Sequence, residues 1–210
     1  MEKKFILTDK FVINSFGIKL FQIKCTKSFK YAQKGDFGGY VEKEGNLDQE
    51  NDAWVFGNAR VSGDAWVSDN ARVSGDAWVS DNAWVSSNAW VSGDALVSGY
   101  AWVSGDARVF GNARVSGDAW VSGNAWVSGD ADIENDNEHC GFDGFGSCNR
   151  HTHAYMTKEK KVEIICGCFR GSIEEFEKKV EETHSGTVYE KQYKSIINVI
   201  KIKFGLTDFT

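Results

Sequence analysis

The 210-residue chain has no proline, no histidine before His139 and no lysine between residues 53 and 136. Long apolar runs are missing too. The opening MEKKFILTDK offers neither the hydrophobic stretch of a signal peptide nor that of a membrane span, so no membrane partner is expected. Five cysteines, Cys25, Cys140, Cys148, Cys166 and Cys168, are too few and too unevenly placed for a disulfide scaffold. They read as reduced thiols, and the chain as cytoplasmic.

A basic surplus is also lacking. Residues 1–52 carry 9 Lys and Arg against 8 Asp and Glu, residues 53–136 carry 4 against 11, and residues 137–210 carry 11 of each. The middle block thus holds −7 while the flanks nearly cancel. A binder of phosphate backbones needs a basic face, so nucleic acid is not an expected partner. A solvated acidic surface is the plainer reading.

What the chain does have is a repeat. From Ala53 to Asp136 run fourteen hexads. The first slot is Ala throughout, and the third is Val until Ile133 ends the series. The fourth is Ser except at Phe56, Phe110 and Glu134, and the sixth is Asp or Asn except at Tyr100. A period of six does not fit a helix of 3.6 residues per turn. A short strand followed by a corner does fit. Ala and Val, two apart, point to one side of a strand, and the variable second slot points to the other. Gly-Asp or Gly-Asn supplies a sharp corner with a residue that tolerates the left-handed region. The block should therefore coil into a solenoid with a dry Ala/Val interior.

The run V-S-G-D-A-W, as at Val61–Trp66, resembles the hexapeptide pattern of left-handed parallel β-helices. In that superfamily, which includes trimeric acyltransferases, three hexads make one triangular coil of 18 residues. The resemblance covers about 84 residues and implies roughly 4.7 coils stacked about 4.8 Å apart, a rod about 22 Å long. The flanks KGDFGGYVEKEGNLDQENDAWV and ICGCFRGSIEEFEKKVEETHSG are similar to a bacterial and bacteriophage-borne group of such proteins, labelled polymer-forming or transferase. That likeness implies a bacterial or phage-infected cell. It also implies association as dimers or trimers, or capture of a host protein in a counter-defence role.

The expected fold is mainly β, in three parts. Residues 1–36 form an N-terminal β-hairpin cap, with strands at KKFILT, KFVIN and IKLFQIKC and a turn at Ser15-Phe16-Gly17. Residues 37–136 form the β-helix, with Val41 and Leu47 in six-residue register with Ala53. Residues 137–210 form an α+β (ββαα) cap, needed because a solenoid's ends expose core and strand edges. There, 137–155 read as irregular, YMTKEKKVEIICGCF as a hairpin, and Ser172 with Glu175 as a capping box. Tyr193, Ile196, Ile197, Ile200 and Ile202 mark a second helix that finishes as a strand.

Assigning hexads to faces in turn puts Trp66, Trp84, Trp102 and Trp120 in one unbroken column. A second column alternates as Trp54, Arg72, Trp90, Arg108 and Trp126, and a third holds Arg60, Trp78, Leu96, Arg114 and Asp132. A coil of two hexads would instead stack Trp54, Trp66, Trp78, Trp90, Trp102, Arg114 and Trp126. Either way, indole and guanidinium stacking can lock neighbouring coils in register. The same side chains are those enriched in protein interfaces, and an apolar strip of several hundred Å² is large for a monomer. Both readings stand at this point.

An enzyme is the alternative. The resemblance implies acyl-CoA chemistry with a catalytic histidine on or beside the helix, next to a neighbouring subunit. Here histidines occur only at His139, His151, His153 and His184, and no lysine in the repeats could meet a CoA phosphate. A third possibility is a sponge for a nucleotide ligand stacked on the aromatic side chains. Zinc is suggested weakly by Cys140, Cys148, His151 and His153, with Cys166 and Cys168 beyond, but the spacing is poor. The Gly-rich GDFGGY and GFDGFGS lack a phosphate-loop lysine, and the corner Asp and Asn residues need no calcium to explain them. No cofactor is expected. The leading expectation is a non-catalytic scaffold acting through Trp and Arg faces.

Overall fold

The computed structural model describes residues 2–207. It is a parallel β-solenoid of about five turns, with N-terminal strands at one end and a strand-and-helix module at the other. Fourteen two-residue strands, β4 (Trp54–Val55) to β17 (Asp132–Ile133), take the second and third slots of the fourteen hexads. Every first-slot Ala and third-slot Val is buried, almost all at 0% exposure. With two inward residues per hexad and one of them alanine, the interior is narrow and dry, and the larger second-slot side chains can only lie outside.

Pairing settles the length of a coil. Trp66 lies beside Trp84, Trp90 beside Arg108 and Leu96 beside Arg114, each 18 residues on. The two-hexad coil is excluded. Backbone bonds join the same neighbouring coils, as in Trp66 N–H to Ala83 O at 2.9 Å and Ser68 N–H to Val85 O at 3.0 Å. Along the strands such a ladder leaves unpaired groups only at the two ends.

The corners differ in one detail from expectation. The left-handed residue is the fifth slot, not the Asp or Asn of the sixth. It is Gly in most hexads, but Asp69, Asp81 and Ser87 also adopt it, with φ near 60°. Two of these are stabilised locally. Asp69 Oδ2 accepts from Ser87 N–H at 2.9 Å and Asp81 Oδ2 from Gly99 N–H at 3.1 Å, each one coil on.

The first coil is longer than the rest. Val41 and Leu47 fall in the third, inward slot opposite Val61 and Val67, twenty residues on, rather than in the first slot with Ala53. The two extra residues lie in the corner between Leu47 and Ala53. Gln49 there accepts from Lys4 N–H at 2.8 Å and Phe5 N–H at 3.2 Å, which ties the N-terminal strand to the rod.

That strand is one element, β1 (Phe5–Ile13), interrupted by a bulge between Leu7 and Phe11, rather than two. It pairs with β2 (Lys19–Cys25), which pairs antiparallel with β3 (Phe37–Val41). β3 in turn lies parallel to the strand at Arg60–Val61. The hairpin therefore extends one face of the solenoid into an eight-stranded sheet as well as closing the end.

At the other end, residues expected to be irregular form β18 (His139–Phe145) and β19 (Arg150–Met156). With β20 (Val162–Cys166) and β21 (Phe169–Ser172) they make a four-stranded antiparallel sheet, two strands more than foreseen. Alternating small and aromatic residues hid them, because glycine-rich pairs pass as turns in a sequence. Ser172 and Glu175 form the expected capping box of α1 (Ile173–His184), whose Ile173, Phe176 and Val180 are buried. α2 (Val188–Lys203) stays helical to its end and leaves Ile202 exposed, because Tyr193, Ile196, Ile197 and Ile200 complete its buried stripe.

Candidate functional site

The outward rows build the candidate surfaces. Trp66, Trp84, Trp102 and Trp120 form one column on a four-stranded sheet and stay 39–50% exposed. Neighbouring rings meet edge to face at 5.6 Å (Trp66–Trp84) and 5.7 Å (Trp84–Trp102), whereas Trp102 and Trp120 stack nearly parallel at 5.3 Å. Both geometries suit the indole quadrupole. This column is the ladder face.

The fourth-slot serines hold the rings. The indole N–H of Trp78 donates to Ser62 Oγ at 3.0 Å, that of Trp90 to Ser74 Oγ at 2.9 Å and that of Trp120 to Ser104 Oγ at 3.4 Å. Each bond spans 16 residues, so it reaches back to the preceding coil. Four of the repeated serines, Ser62, Ser74, Ser86 and Ser104, thus anchor an indole of the following coil.

The alternating face is arranged as its order implies, in the sheet of Trp54, Arg72, Trp90, Arg108 and Trp126. The Arg72 guanidinium lies 4.5 Å from the Trp90 ring centre and 5.5 Å from that of Tyr31, and Arg108 lies 5.4 Å from Trp126. Trp54 is a correction to its expected outward role. It is 1% exposed, covered by Phe5 at 6.3 Å and Phe29 at 5.3 Å. No earlier coil exists for it to stack on, so the N-terminal segment does so instead. The two fourth-slot phenylalanines serve as such covers: Phe56 meets Tyr31 and Phe110 meets Trp126.

The histidines sit where the sheet of the closing module lies under the last coil. His153, His151 and Tyr155 alternate along β19, and His139 stands opposite Tyr155. His153 Nδ1 is 2.9 Å from the carbonyl of Trp126. A carbonyl only accepts, so Nδ1 carries the proton and Nε2 accepts from His139 Nδ1 at 3.2 Å. No further coil follows to pair the Trp126 carbonyl, and His153 takes that place. Burial lowers the pKa of His153 to about 3, keeping it neutral, and lowers that of His139. The opposite end has a counterpart: Lys4 Nζ, its pKa lowered by burial to about 8, donates to Asn51 O and to Ala53 O, at 2.6 and 2.9 Å.

His151 resembles a catalytic dyad at first sight. Its Nδ1 lies 2.8 Å from Asp143 Oδ1, beside a cleft of about 450 Å³ lined also by Asn124, Trp126 and Arg150. Yet Nε2, the atom a general base would use, is buried and unpartnered, and the ring edge lies against Gly141. His184 stacks on Tyr193 at 5.5 Å in the helical layer, apart from the other three.

The weak metal candidates are not drawn together. Cys148 is exposed, and burial pushes the Cys140 thiol up to about 11, away from the thiolate that zinc requires. Cys166 accepts from Thr152 Oγ1 inside the module, and Cys168 is exposed. Among the described residues no three His, Cys, Asp or Glu converge as a metal ion would need. No helix among them is long and apolar enough to cross a membrane.

The repeats match the YdcK beta solenoid repeat. The matched segments are residues 53–69, 65–81, 89–105, 101–117 and 107–123, all within the coiled block. The matches fall in two overlapping groups, 53–81 and 89–123, and their starts differ by multiples of the six-residue step, as expected of a motif built from two to three hexads. No curated protein matches the chain. The likeness therefore concerns the solenoid and leaves its two ends to be read from their own residues.

Proposed function

We propose that this chain is a non-catalytic binding and assembly scaffold that docks through its outward Trp and Arg side chains, foremost the ladder face. One observation carries the reading. Four indoles stand in register on a fully hydrogen-bonded base, and each keeps 39–50% of its surface in water. Together they expose about 400 Å² of indole, a strip the size of the largest apolar patches on monomers, which are often functional. The rod beneath is stiff, so the strip is presented with little loss of chain entropy on binding. The partner in this reading is a second copy, giving a dimer or trimer, or a host protein in a bacterial or phage-infected cell. The VSGDAW repeat and the flanking segments support placement near the hexapeptide superfamily and its phage-borne members.

The test is light scattering on the wild type and on Trp84→Ser/Trp102→Ser, with circular dichroism as the control for folding. An assembly that falls to monomer, or a captured partner that is released, supports the scaffold. A folded variant with unchanged mass and unchanged partner binding sinks it.

A further inference from the structure

The alternating face shows what occupies the space over an indole in this fold. Wherever a Trp follows an Arg rung there, a guanidinium lies over its ring, at 4.5 Å for Arg72 on Trp90 and 5.4 Å for Arg108 on Trp126. On the ladder face all four rungs are Trp, and no Lys or Arg of the described residues lies over any of them. The corners that border it carry Asp64, Asp69, Asp81, Asp106 and Asp118, all exposed, and no basic residue. Lys43 pairs with Asp64, while the other four take no ion pair among the described residues. The ladder is therefore a row of π-faces edged by five carboxylates, four of them without an ion pair.

Resting on the docking reading above, we infer that the occupant of the ladder face is an extended, arginine-rich segment of a partner protein. Its guanidinium groups would take the positions over Trp66, Trp84, Trp102 and Trp120 that Arg72 and Arg108 take on the neighbouring face, and the corner aspartates would supply the counter-charge. Guanidinium is favoured over ammonium, because it is planar, less tightly hydrated and can stack and hydrogen-bond together. A second copy on the same face would bring these aspartates against their own kind, which costs rather than gains. A nucleic acid or another polyanion would be repelled.

The experiment is fluorescence anisotropy with a labelled Arg-Gly repeat peptide and its Lys-Gly and Glu-Gly counterparts, at low and at physiological salt. The full-length wild type, Trp84→Ser/Trp102→Ser and Phe37→Ser are compared. Saturable binding is expected in the order Arg-Gly over Lys-Gly, with none for Glu-Gly. The ladder double variant should lose about tenfold in affinity, since two exposed cation–π pairs are removed. Phe37→Ser should keep it, because that exposed ring lies on the N-terminal strands, in a different sheet from the ladder. Trp84→Leu/Trp102→Leu repeats the loss if the serine variant does not fold. Equal binding of Arg-Gly and Lys-Gly peptides, or binding indifferent to the ladder, would mean charge alone and overturns the inference. A wild-type oligomer that dissolves in the double variant and binds no peptide overturns it too, while leaving the docking reading intact. Absence of both peptide binding and assembly sinks both.

Discussion

The indole N–H of Trp102 donates to Ser86 Oγ at 3.2 Å, 16 residues earlier in the chain. That distance is two short of a full coil, so the bond ties one rung's outer side chain to the strand end of the rung before. It is the side-chain counterpart of the backbone ladder. It gives a use to four of the serines that follow the inward valine, and it anchors two of the exposed ladder rings, Trp102 and Trp120.

Ser86→Ala should cost about 0.5 to 1 kcal/mol, as for one partly exposed neutral hydrogen bond. A urea titration monitored by Trp emission would read it. A larger loss would mean that the serine supports the strand as well as the ring.

Trp54 and Trp84 occupy the same slot of their hexads but opposite environments. Trp54→Ala removes a buried ring beneath Phe5 and Phe29, and should cost about 3 to 5 kcal/mol. Trp84→Ala removes a ring that is 44% exposed, and should cost about 1 kcal/mol. Thermal unfolding of the two variants should separate them clearly, and equal losses would contradict the assignment of Trp84 to a contact surface.

Gly105 adopts φ 68°, and a Cβ there would sit 2.8 Å from Gly123 N. Gly105→Ala should destabilise by about 1 to 2 kcal/mol through the left-handed conformation and this close approach. Gly105→Asp should cost less, because its carboxylate can accept the Gly123 N–H as Asp81 accepts that of Gly99. If alanine proves the milder of the two, the hydrogen bond is not what admits aspartate at these corners.

Acid should loosen the C-terminal end. His153 is 1% exposed, and burial lowers its pKa from 6.5 to about 3. Between those values the unfolded chain binds a proton that the folded chain does not. Stability therefore falls as pH drops through this window, by up to about 1.4 kcal/mol per pH unit from this ring alone. Urea midpoints at neutral and mildly acidic pH should show the fall. His153→Gln, whose amide can still donate to the Trp126 carbonyl, should flatten it.

Much of the rod was legible in the repeat. Ala in the first slot and Val in the third, always two apart, define an inward row whatever the coil. The three columns of second-slot residues follow once three hexads close a turn, and Trp66 beside Trp84 shows that they do. The capping box at Ser172 was equally plain, since it is a local pattern of residues three apart. The strands at His139–Phe145 and Arg150–Met156 were not, because Gly141 and Gly144 weaken the signal of the first, the second has no partner without it, and only cross-strand pairing reveals them.

What the sequence alone determined is the repeating unit: strand, corner, inward pair and outward slot, each set by interactions within a few residues. What only the tertiary structure decided lies at the ends and between coils. Six-residue periodicity is compatible with turns of two hexads or three, and the choice depends on the pairing of strands whose facing residues are 18 apart. The burial of Trp54 depends on Phe5 and Phe29, and the role of His153 on the strand that passes beneath Trp126. A solenoid satisfies its own interior by repetition. Its first and last rungs have no neighbour of their own kind, so their partners come from distant, non-repeating chain that no local pattern foretells.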